Sequence, residues 1–342
     1  MRTFFIFVLV AVLAVGIWLA WALYLPVQPN GAQFVLLRPG YTSRHIASDL
    51  KSAGIIRSPR AFLLLHYFLG STLKAGEYKF DQRANARQIH DRLARGDIYV
   101  HTVTIPEGYN MYDIAGVMQA AGLGSAQDFL NAAQSDVAYI RDIDPKATSL
   151  EGYLFPDTYG FTRTQTMHDM IAVMVHRFRR TAEQIGLICT TTPGATSAAS
   201  AGCPDVHTVV TMAAIVEKET AVPDERPTVA GVYYNRLQHN IALAADPTVI
   251  YAALVSGRYT GTIHQSDLAF DSPYNTYRHA GLPPGPIANP GSASLQAALH
   301  PAQTAFLYFV SDGNGHHRFA RTLDEHSRNV AAYRRAIATS SR

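Results

Sequence analysis

The stretch "PGYTSRHIASDLKSAGIIRSPRAF", residues 39–62, decides how the first part of the chain folds, because a similar stretch follows it. Residues 107–129 read "EGYNMYDIAGVMQAAGLGSAQDF". The two stretches match at an offset of 68 residues, at Gly40/Gly108, Tyr41/Tyr109, Ile46/Ile114, Ala47/Ala115, Leu50/Met118, Ala53/Ala121 and Gly54/Gly122. A slip of one residue then aligns Phe62 with Phe129. The chain therefore contains an internal repeat.

Both copies of the repeat predict the same local structure. A strand ("FVLLRP" or "HTVTIPE") leads to a Gly-Tyr turn, a polar cap begins a helix with apolar residues at helical spacing, and Ala-Gly ends it. This unit resembles the LysM carbohydrate-binding module, and the alternative is generic packing of a strand on a helix. Two copies are too few for a solenoid, which usually needs at least about three.

The composition bounds the class of protein. The chain has 342 residues, enough for two domains, and 48% are apolar while 16% are charged, so most of it can bury a core. The formal net charge of +3 is too small to indicate a nucleic-acid partner.

The N-terminus predicts a membrane anchor. Residues 3–25, "TFFIFVLVAVLAVGIWLAWALYL", carry no charge and exceed the roughly 20 residues that span a bilayer. Arg2 precedes them and no charge follows until Arg38, which predicts a cytoplasmic N-terminus and a translocated remainder. The alternative is a cleaved signal peptide, since residues 20–22 form a small-x-small site; the length of the apolar run favours a retained anchor.

The chain has two cysteines, Cys189 and Cys203, on either side of the low-complexity segment "TTTPGATSAASAG". Outside the cytoplasm a disulfide closing this segment is favoured, and the alternative is two free thiols.

Common catalytic and metal-binding motifs are missing. The sequence contains no G-x-S-x-G elbow, P-loop, G-x-G-x-x-G after a strand, or H-E-x-x-H. The stretch "FLYFVSDGNGHHRFA", residues 306–320, predicts a β-hairpin with an Asp-Gly-Asn-Gly turn. His316 and His317 are adjacent on its second strand and point to opposite faces, so they do not predict a metal site. No metal and no cofactor are expected, and Asp and Glu remain as candidates for chemistry.

Four acids lie in "AAIVEKETAVPDE", residues 213–225. The helix that ends at these acids is apolar nearly all round and should be buried. Glu219 faces away from Glu217 on this helix, Asp224 is suited to cap the next helix, and Glu225 suits its first turn. Asp246, directly before Pro247, is suited in the same way to cap a later helix. Glu217 has no such structural role. It shares a helix face with Ala213 and Ala214, which leave room beside its carboxyl. An acid at the edge of an apolar helix is partly desolvated, as suits a general acid.

A series of motifs surrounds Glu217: "EGYLFPDTY", "VEKET", "GVYYNRL", "ADPTVIYA", "SPYNTY", "GLPPGPIANPG" and "FLYFVSDGNGHHRF", in this order from residue 151 to residue 319. Together they resemble the MltG (YceG-like) family of endolytic murein transglycosylases, and the resemblance extends from the anchor to Arg335. The chain departs from the family pattern at the segment between Cys189 and Cys203, which reads as an insertion.

The resemblance implies a lyase acting on peptidoglycan, with Glu217 as the catalytic acid. The enzyme would cleave the MurNAc-GlcNAc β-1,4 bond within strands and leave a 1,6-anhydroMurNAc end, terminating the elongation of nascent strands. One carboxyl would serve first as acid and then as base, whereas a typical glycosidase needs two carboxylates. Substrate-binding candidates are Tyr153, Asn235, Tyr274, Asn275 and Glu151. Glu151 and Asp157 are also acidic alternatives, although turns beside them need such groups.

Two other functions stay open. A lysozyme-like muramidase would need a second carboxylate near Glu217, and Glu151 is the residue expected to supply it. A non-catalytic peptidoglycan-binding scaffold would rely on the repeats.

The expected fold class is α+β. The expected organisation is a transmembrane anchor at 1–25, a linker at 26–32, a LysM-like module at 33–105 and a YceG-like catalytic domain at 106–342, whose start at 106–145 resembles a second copy of the LysM-like unit. The resemblance implies a single-pass protein of the cell inner membrane with its catalytic domain in the periplasm. Its implied partners are peptidoglycan glycan strands and peptidoglycan synthases.

Overall fold

The structure is a computed structural model that describes residues 1–189 and 203–340. The helices are α1 (Arg2–Tyr24), α2 (Ser43–Ser52), α3 (Pro59–Leu69), α4 (Ala86–Arg95), α5 (Met111–Ala120), α6 (Ala126–Ser135), α7 (Met167–Gln184), α8 (Val206–Glu219), α9 (Arg226–Gln238), α10 (Asp246–Val255), α11 (Gln265–Leu268), α12 (Ser292–Leu299) and α13 (Leu323–Ser340). The strands are β1 (Gln33–Leu37), β2 (Gly76–Phe80), β3 (His101–Thr104), β4 (Thr158–Phe161), β5 (Tyr308–Ser311) and β6 (His317–Ala320).

Helices and strands are mixed, and the strands form three two-stranded sheets that pair β1 with β2, β3 with β4 and β5 with β6. The chain divides into two compact units. The first contains residues 1–102 and 160–166, and the second contains residues 103–159 and 167–342.

The internal repeat is confirmed in the local structure of both copies. Each has a strand followed by two helices, β1–α2–α3 and β3–α5–α6. The matched glycines take the left-handed conformation that favours glycine: Gly40 and Gly108 have φ of 84° and 76°, and Gly54 and Gly122 have φ of 70° and 68°. The second helix of each copy was not predicted, since the sequence pattern was read only as far as Ala-Gly.

The N-terminal helix α1 is long and apolar enough to cross a membrane, with a mean hydropathy of 2.7 over its best window. Its last turn also packs into the core of the first unit, where Ala22 and Leu23 are buried. The Arg57 guanidinium donates to the carbonyl of Pro26 at 3.1 Å and lies 4.9 Å from the centre of the Trp21 ring. The end of α1 therefore belongs to the core of the first unit.

The centre of the second unit is α8, whose residues 209–216 are all buried, as the apolar run predicted. It packs against α9 and α12. Ala213 and Ala214 were expected to leave room beside Glu217. Instead both are fully buried, because their small side chains let neighbouring elements pack closely.

Two predicted helix caps are wrong. A 3-10 turn, Pro223–Glu225, runs directly into α9, so Asp224 is exposed and does not cap that helix. Asp246 is the first residue inside α10, and its carboxylate accepts a bond from the hydroxyl of Tyr277 at 2.6 Å. The predicted C-terminal hairpin is confirmed, with Tyr308–Ser311 antiparallel to His317–Ala320.

The start of α5 offers a local test of stability. The Asn110 side chain accepts from the backbone N–H groups of Tyr112 and Asp113, and the Asp113 carboxylate accepts from the N–H of Asn110. Asn110→Ala is expected to destabilise the second unit by about 1 kcal/mol, because α5 loses its cap. Thermal unfolding measures this. Asn110→Asp, which can still cap, should behave like the parent; equal losses in both variants would contradict the assignment.

Candidate active site

Glu217 lies in the last turn of α8, and its side chain is only 5% exposed. Its Oε1 accepts a bond from the Arg226 guanidinium at 3.1 Å, and its Oε2 accepts from the backbone N–H of Gly291 at 2.9 Å. Arg226 is the first residue of α9, and Gly291 directly precedes α12. Three elements that pack together in the second unit thus fix the position of one carboxyl group.

A second carboxyl group belongs to the same cluster. Oε2 of Glu107 lies 3.7 Å from the same Arg226 nitrogen that binds Glu217. The Glu107 side chain is 49% exposed, and it covers Gly291 so closely that a Cβ there would lie 1.9 Å from its Oε1. Burial and the charge of Glu217 raise the pKa of Glu107, while Arg226 lowers it. Glu107 is therefore the second carboxyl group beside Glu217.

Backbone contacts hold Glu107 in place. Gly108 donates its N–H to the carbonyl of Asn289 at 3.0 Å, and the Lys218 ammonium donates to the carbonyl of Gly108 at 3.2 Å. The turn after β3 is thereby tied both to α8 and to the segment "GLPPGPIANPG", residues 281–291. That segment forms turns, and residues 285–291 are buried, so it is a loop held in place by its packing.

Glu151 lies beneath this loop, with 2% exposure. Its carboxyl accepts from the N–H of Met111 at the start of α5, from the Tyr251 hydroxyl at 3.0 Å and from the Asn289 side-chain amide at 2.9 Å. Oδ1 of Asn289 in turn accepts from the N–H of Leu154. Glu151 therefore joins "EGYLFPDTY" to the loop that carries Gly291.

The environment of Glu151 predicts a dependence of stability on pH. Burial raises its pKa from an ordinary 4.5 to about 8, so the folded state binds this proton more tightly than the unfolded chain. The contribution of this proton to the free energy of unfolding is complete below about pH 4.5 and is lost as pH rises through about 8. The free energy of unfolding between pH 5 and pH 9, measured by urea titration, should fall more steeply for the parent than for Glu151→Gln. Parallel curves would contradict this.

The other acids near Glu217 have structural partners. Glu219 accepts from the Tyr233 hydroxyl at 2.9 Å, and burial raises its pKa. Glu225 accepts from the N–H and the ring of His317 and from the ring of His316, and these bonds lower its pKa against the effect of burial. The two histidines thus bind a carboxylate. The described residues contain no group of three or more His, Cys, Asp or Glu side chains suited to a metal ion.

The predicted substrate-binding residues are dispersed. Tyr153 is buried and donates its hydroxyl to Asp144, which also accepts from His207 at 2.7 Å. Asn275 is buried, and its amide donates to the carbonyls of Asp267, Leu268 and Phe270.

Asn235 donates to the carbonyls of Thr304 and Phe306 at 2.7 and 3.0 Å. Tyr274 is partly exposed, and its ring centre lies 4.9 Å from that of Tyr251, which binds Glu151. Tyr274 thus lies beside the network that Glu151 forms with the loop. Glycan contact by any of these residues stays a prediction.

Asp157, the other acidic alternative, binds Arg177 at 2.6 Å, and this bond lowers its pKa. The sulfur atoms of Cys189 and Cys203 are bonded in the structure, with their Cα atoms 6.0 Å apart. The segment between the two cysteines lies outside the described residues.

Sequence reasoning missed Glu107 and Arg226. In the sequence, Glu107 stands at the start of the second repeat, where the first copy has Pro39. That difference between the copies was the available signal. Arg226 had no comparable signal, since its role depends on how α8 and α9 pack.

Comparison with known proteins shows which family this chain belongs to. A sequence model of the YceG-like family matches residues 35–332. A protein of Bacillus subtilis (strain 168) named endolytic murein transglycosylase is 34% identical over 304 residues, covering 84% of this chain and 81% of that protein. A Streptococcus pneumoniae (strain R6) protein of the same name is 28% identical, covering 90% of this chain and 60% of that protein.

A solved structure is also similar. The crystal structure of a YceG-like protein from Listeria monocytogenes superposes with a TM-score of 0.54 at 30% identity. The match covers 87% of this chain and 98% of that one.

Proposed function

The chain belongs to the YceG-like family, and from that premise we propose that it is an endolytic murein transglycosylase, a lyase that cleaves peptidoglycan strands internally. The observation that carries the proposal is the placement of Glu217. Its carboxyl is nearly enclosed and is fixed by Arg226 and by the N–H of Gly291. Fixing a proton donor in this way is what general acid catalysis requires.

The proposed reaction uses Glu217 twice. Protonated Glu217 gives its proton to the glycosidic oxygen, the bond from this oxygen to C1 of MurNAc breaks, and GlcNAc leaves with a free hydroxyl. The resulting carboxylate takes the proton of the MurNAc O6 hydroxyl while O6 bonds to C1 and closes the 1,6-anhydro ring. Glu217 ends protonated, and no water is consumed. Arg226 and the N–H of Gly291 stabilise the carboxylate between the two steps.

Glu107 changes which residue could serve as the second carboxylate of a muramidase. Glu151 is buried and bound to three protein donors, so it is not available as a second catalytic carboxylate. Glu107 is partly exposed and shares Arg226 with Glu217. A hydrolase would use such a carboxylate to activate water. The names of the relatives favour the lyase.

The setting of the enzyme follows from the anchor. We infer a single-pass protein of the inner membrane, with its N-terminus in the cytoplasm and the catalytic unit in the periplasm. The first unit would act as a LysM-like module, and the second unit as the catalytic domain that limits nascent strands beside peptidoglycan synthases. The strand–helix–helix repeat supports the LysM-like assignment.

The test is digestion of purified glycan strands by the detergent-solubilised full chain in water enriched in heavy oxygen. The lyase gives anhydroMurNAc ends, one water lighter than reducing ends, without heavy oxygen. A muramidase gives reducing ends that carry the label. Labelled ends would overturn the proposal in favour of hydrolysis, and intact strands would favour the scaffold.

A further inference from the structure

We propose that Glu107 is a positioning residue of this reaction, which shares Arg226 with Glu217 and so lets Glu217 alternate between its protonated and its ionised form. The inference rests on the proposed function, because it concerns the two protonation states that the reaction requires of Glu217. Glu107 itself is not assigned a contact with substrate.

The argument begins with the contacts of Glu217. Both of its oxygens accept bonds, one from a guanidinium and one from a backbone N–H. These two donors bind the negative charge that the second step of the reaction requires on this carboxyl group. The first step needs the protonated acid, so the hold of Arg226 on Glu217 has to be weakened in that state.

Glu107 offers Arg226 a second carboxyl group with which to pair. Its Oε2 lies 3.7 Å from the Arg226 nitrogen that binds Glu217 at 3.1 Å. When Glu217 is protonated, Arg226 can pair with ionised Glu107. When Glu217 loses its proton, Arg226 can pair with Glu217 again. The Nε of Arg226 is buried and has no hydrogen-bond partner among the described residues, so the guanidinium is not saturated by its present contacts.

Two charged groups act directly on the Glu107 carboxyl, Glu217 from α8 and Arg226 from α9. Lys218 is bound to the carbonyl of Gly108, which places a second cation at the turn that carries Glu107. Burial and the charge of Glu217 raise the pKa of Glu107, as expected when two carboxyls share one guanidinium.

Gly291 is part of the arrangement for a steric reason. A Cβ at this position would lie 1.9 Å from Oε1 and 2.1 Å from Cδ of Glu107. Glycine therefore leaves the space that the Glu107 carboxyl occupies, while its own N–H binds Glu217. Any side chain at residue 291 would push Glu107 away from Arg226 without removing a charge.

The experiment is the pH profile of kcat/KM for release of anhydro ends by the full chain. In Glu107→Gln, Arg226 pairs with Glu217 alone, and the negative charge beside the Glu217 carboxyl is lost. The alkaline limb should therefore move toward acid by about one pH unit, with the rate at low pH retained. Asp224→Asn is the control, since it removes an exposed negative charge two residues from Arg226 and should leave the profile in place.

Gly291→Ala tests the same idea with all charges kept, and it should produce the same acid shift. Gly291→Ala also tests the proposal if circular dichroism shows that Glu107→Gln does not fold. A uniform loss of rate without a shift in either variant, or an unchanged profile, would overturn the proposal. If the parent releases no anhydro ends, the proposed function fails instead, so the two failures are distinguishable.

Discussion

Glu217→Gln is expected to lower the rate of anhydro-end formation by about 10²- to 10⁴-fold while leaving the fold intact. Glutamine has nearly the same size, and its Oε1 can still accept from Arg226 or from the N–H of Gly291. It can neither give a proton to the glycosidic oxygen nor take one from O6. The measurement is the initial rate on purified glycan strands, with circular dichroism as the check on folding.

Glu219→Gln is the matched control for this variant. It makes the same substitution on the same helix, at a partly buried carboxyl that binds the Tyr233 hydroxyl. We expect its activity to stay within a few-fold of the parent, because the Tyr233 hydroxyl can still donate to the glutamine oxygen. If both variants retain comparable activity, Glu217 is not the acid of this reaction.

Glu151→Ala is expected to destabilise the second unit by at least about 3 kcal/mol. The change removes the acceptor of three buried donors: the N–H of Met111, the hydroxyl of Tyr251 and the amide of Asn289. Each donor left buried without a partner costs about 1–3 kcal/mol, and the lost side chain leaves a cavity. Urea unfolding of the full chain in detergent, followed by near-ultraviolet circular dichroism, measures the loss.

The same variant should also lose activity, because Asn289 lies two residues before Gly291, whose N–H binds Glu217. Glu151→Gln is the control. It keeps one oxygen and the volume of the side chain, and at neutral pH it resembles the protonated acid that burial favours. We expect it to be less than half as destabilising as the alanine variant. Equal destabilisation by both would mean that the carboxyl oxygens are not the stabilising groups.

The sequence predicted elements whose signals are local. The repeat was read from glycines at turns, and these glycines have positive φ in both copies because only glycine takes that conformation without strain. The buried helix α8 was read from its apolar run. The C-terminal hairpin was read from "SDGNG" between two strand-like runs. Each prediction depended on residues that are neighbours in the chain.

The caps at Asp224 and Asp246 were wrong for a related reason. Both residues are acids ahead of a proline and a helix, which is a common capping pattern. The 3-10 turn Pro223–Glu225 leads directly into α9, so Asp224 does not stand at the capping position of that helix. The Tyr277 hydroxyl binds the carboxylate of Asp246. A local pattern does not show which partner a side chain chooses when a distant one is available.

The sequence by itself determined the apolar N-terminal helix and the repeat, and it singled out Glu217 as the acid without a predicted structural role. Only the tertiary structure decided what surrounds that acid. Arg226 and Gly291 meet Glu217 because α8, α9 and α12 pack together, and Glu107 joins them because its turn is bound to Lys218 and Asn289. The tertiary structure also placed Glu151 beneath the loop instead of beside Glu217. Burial and charge pairing depend on these long-range contacts, and local sequence patterns do not encode them.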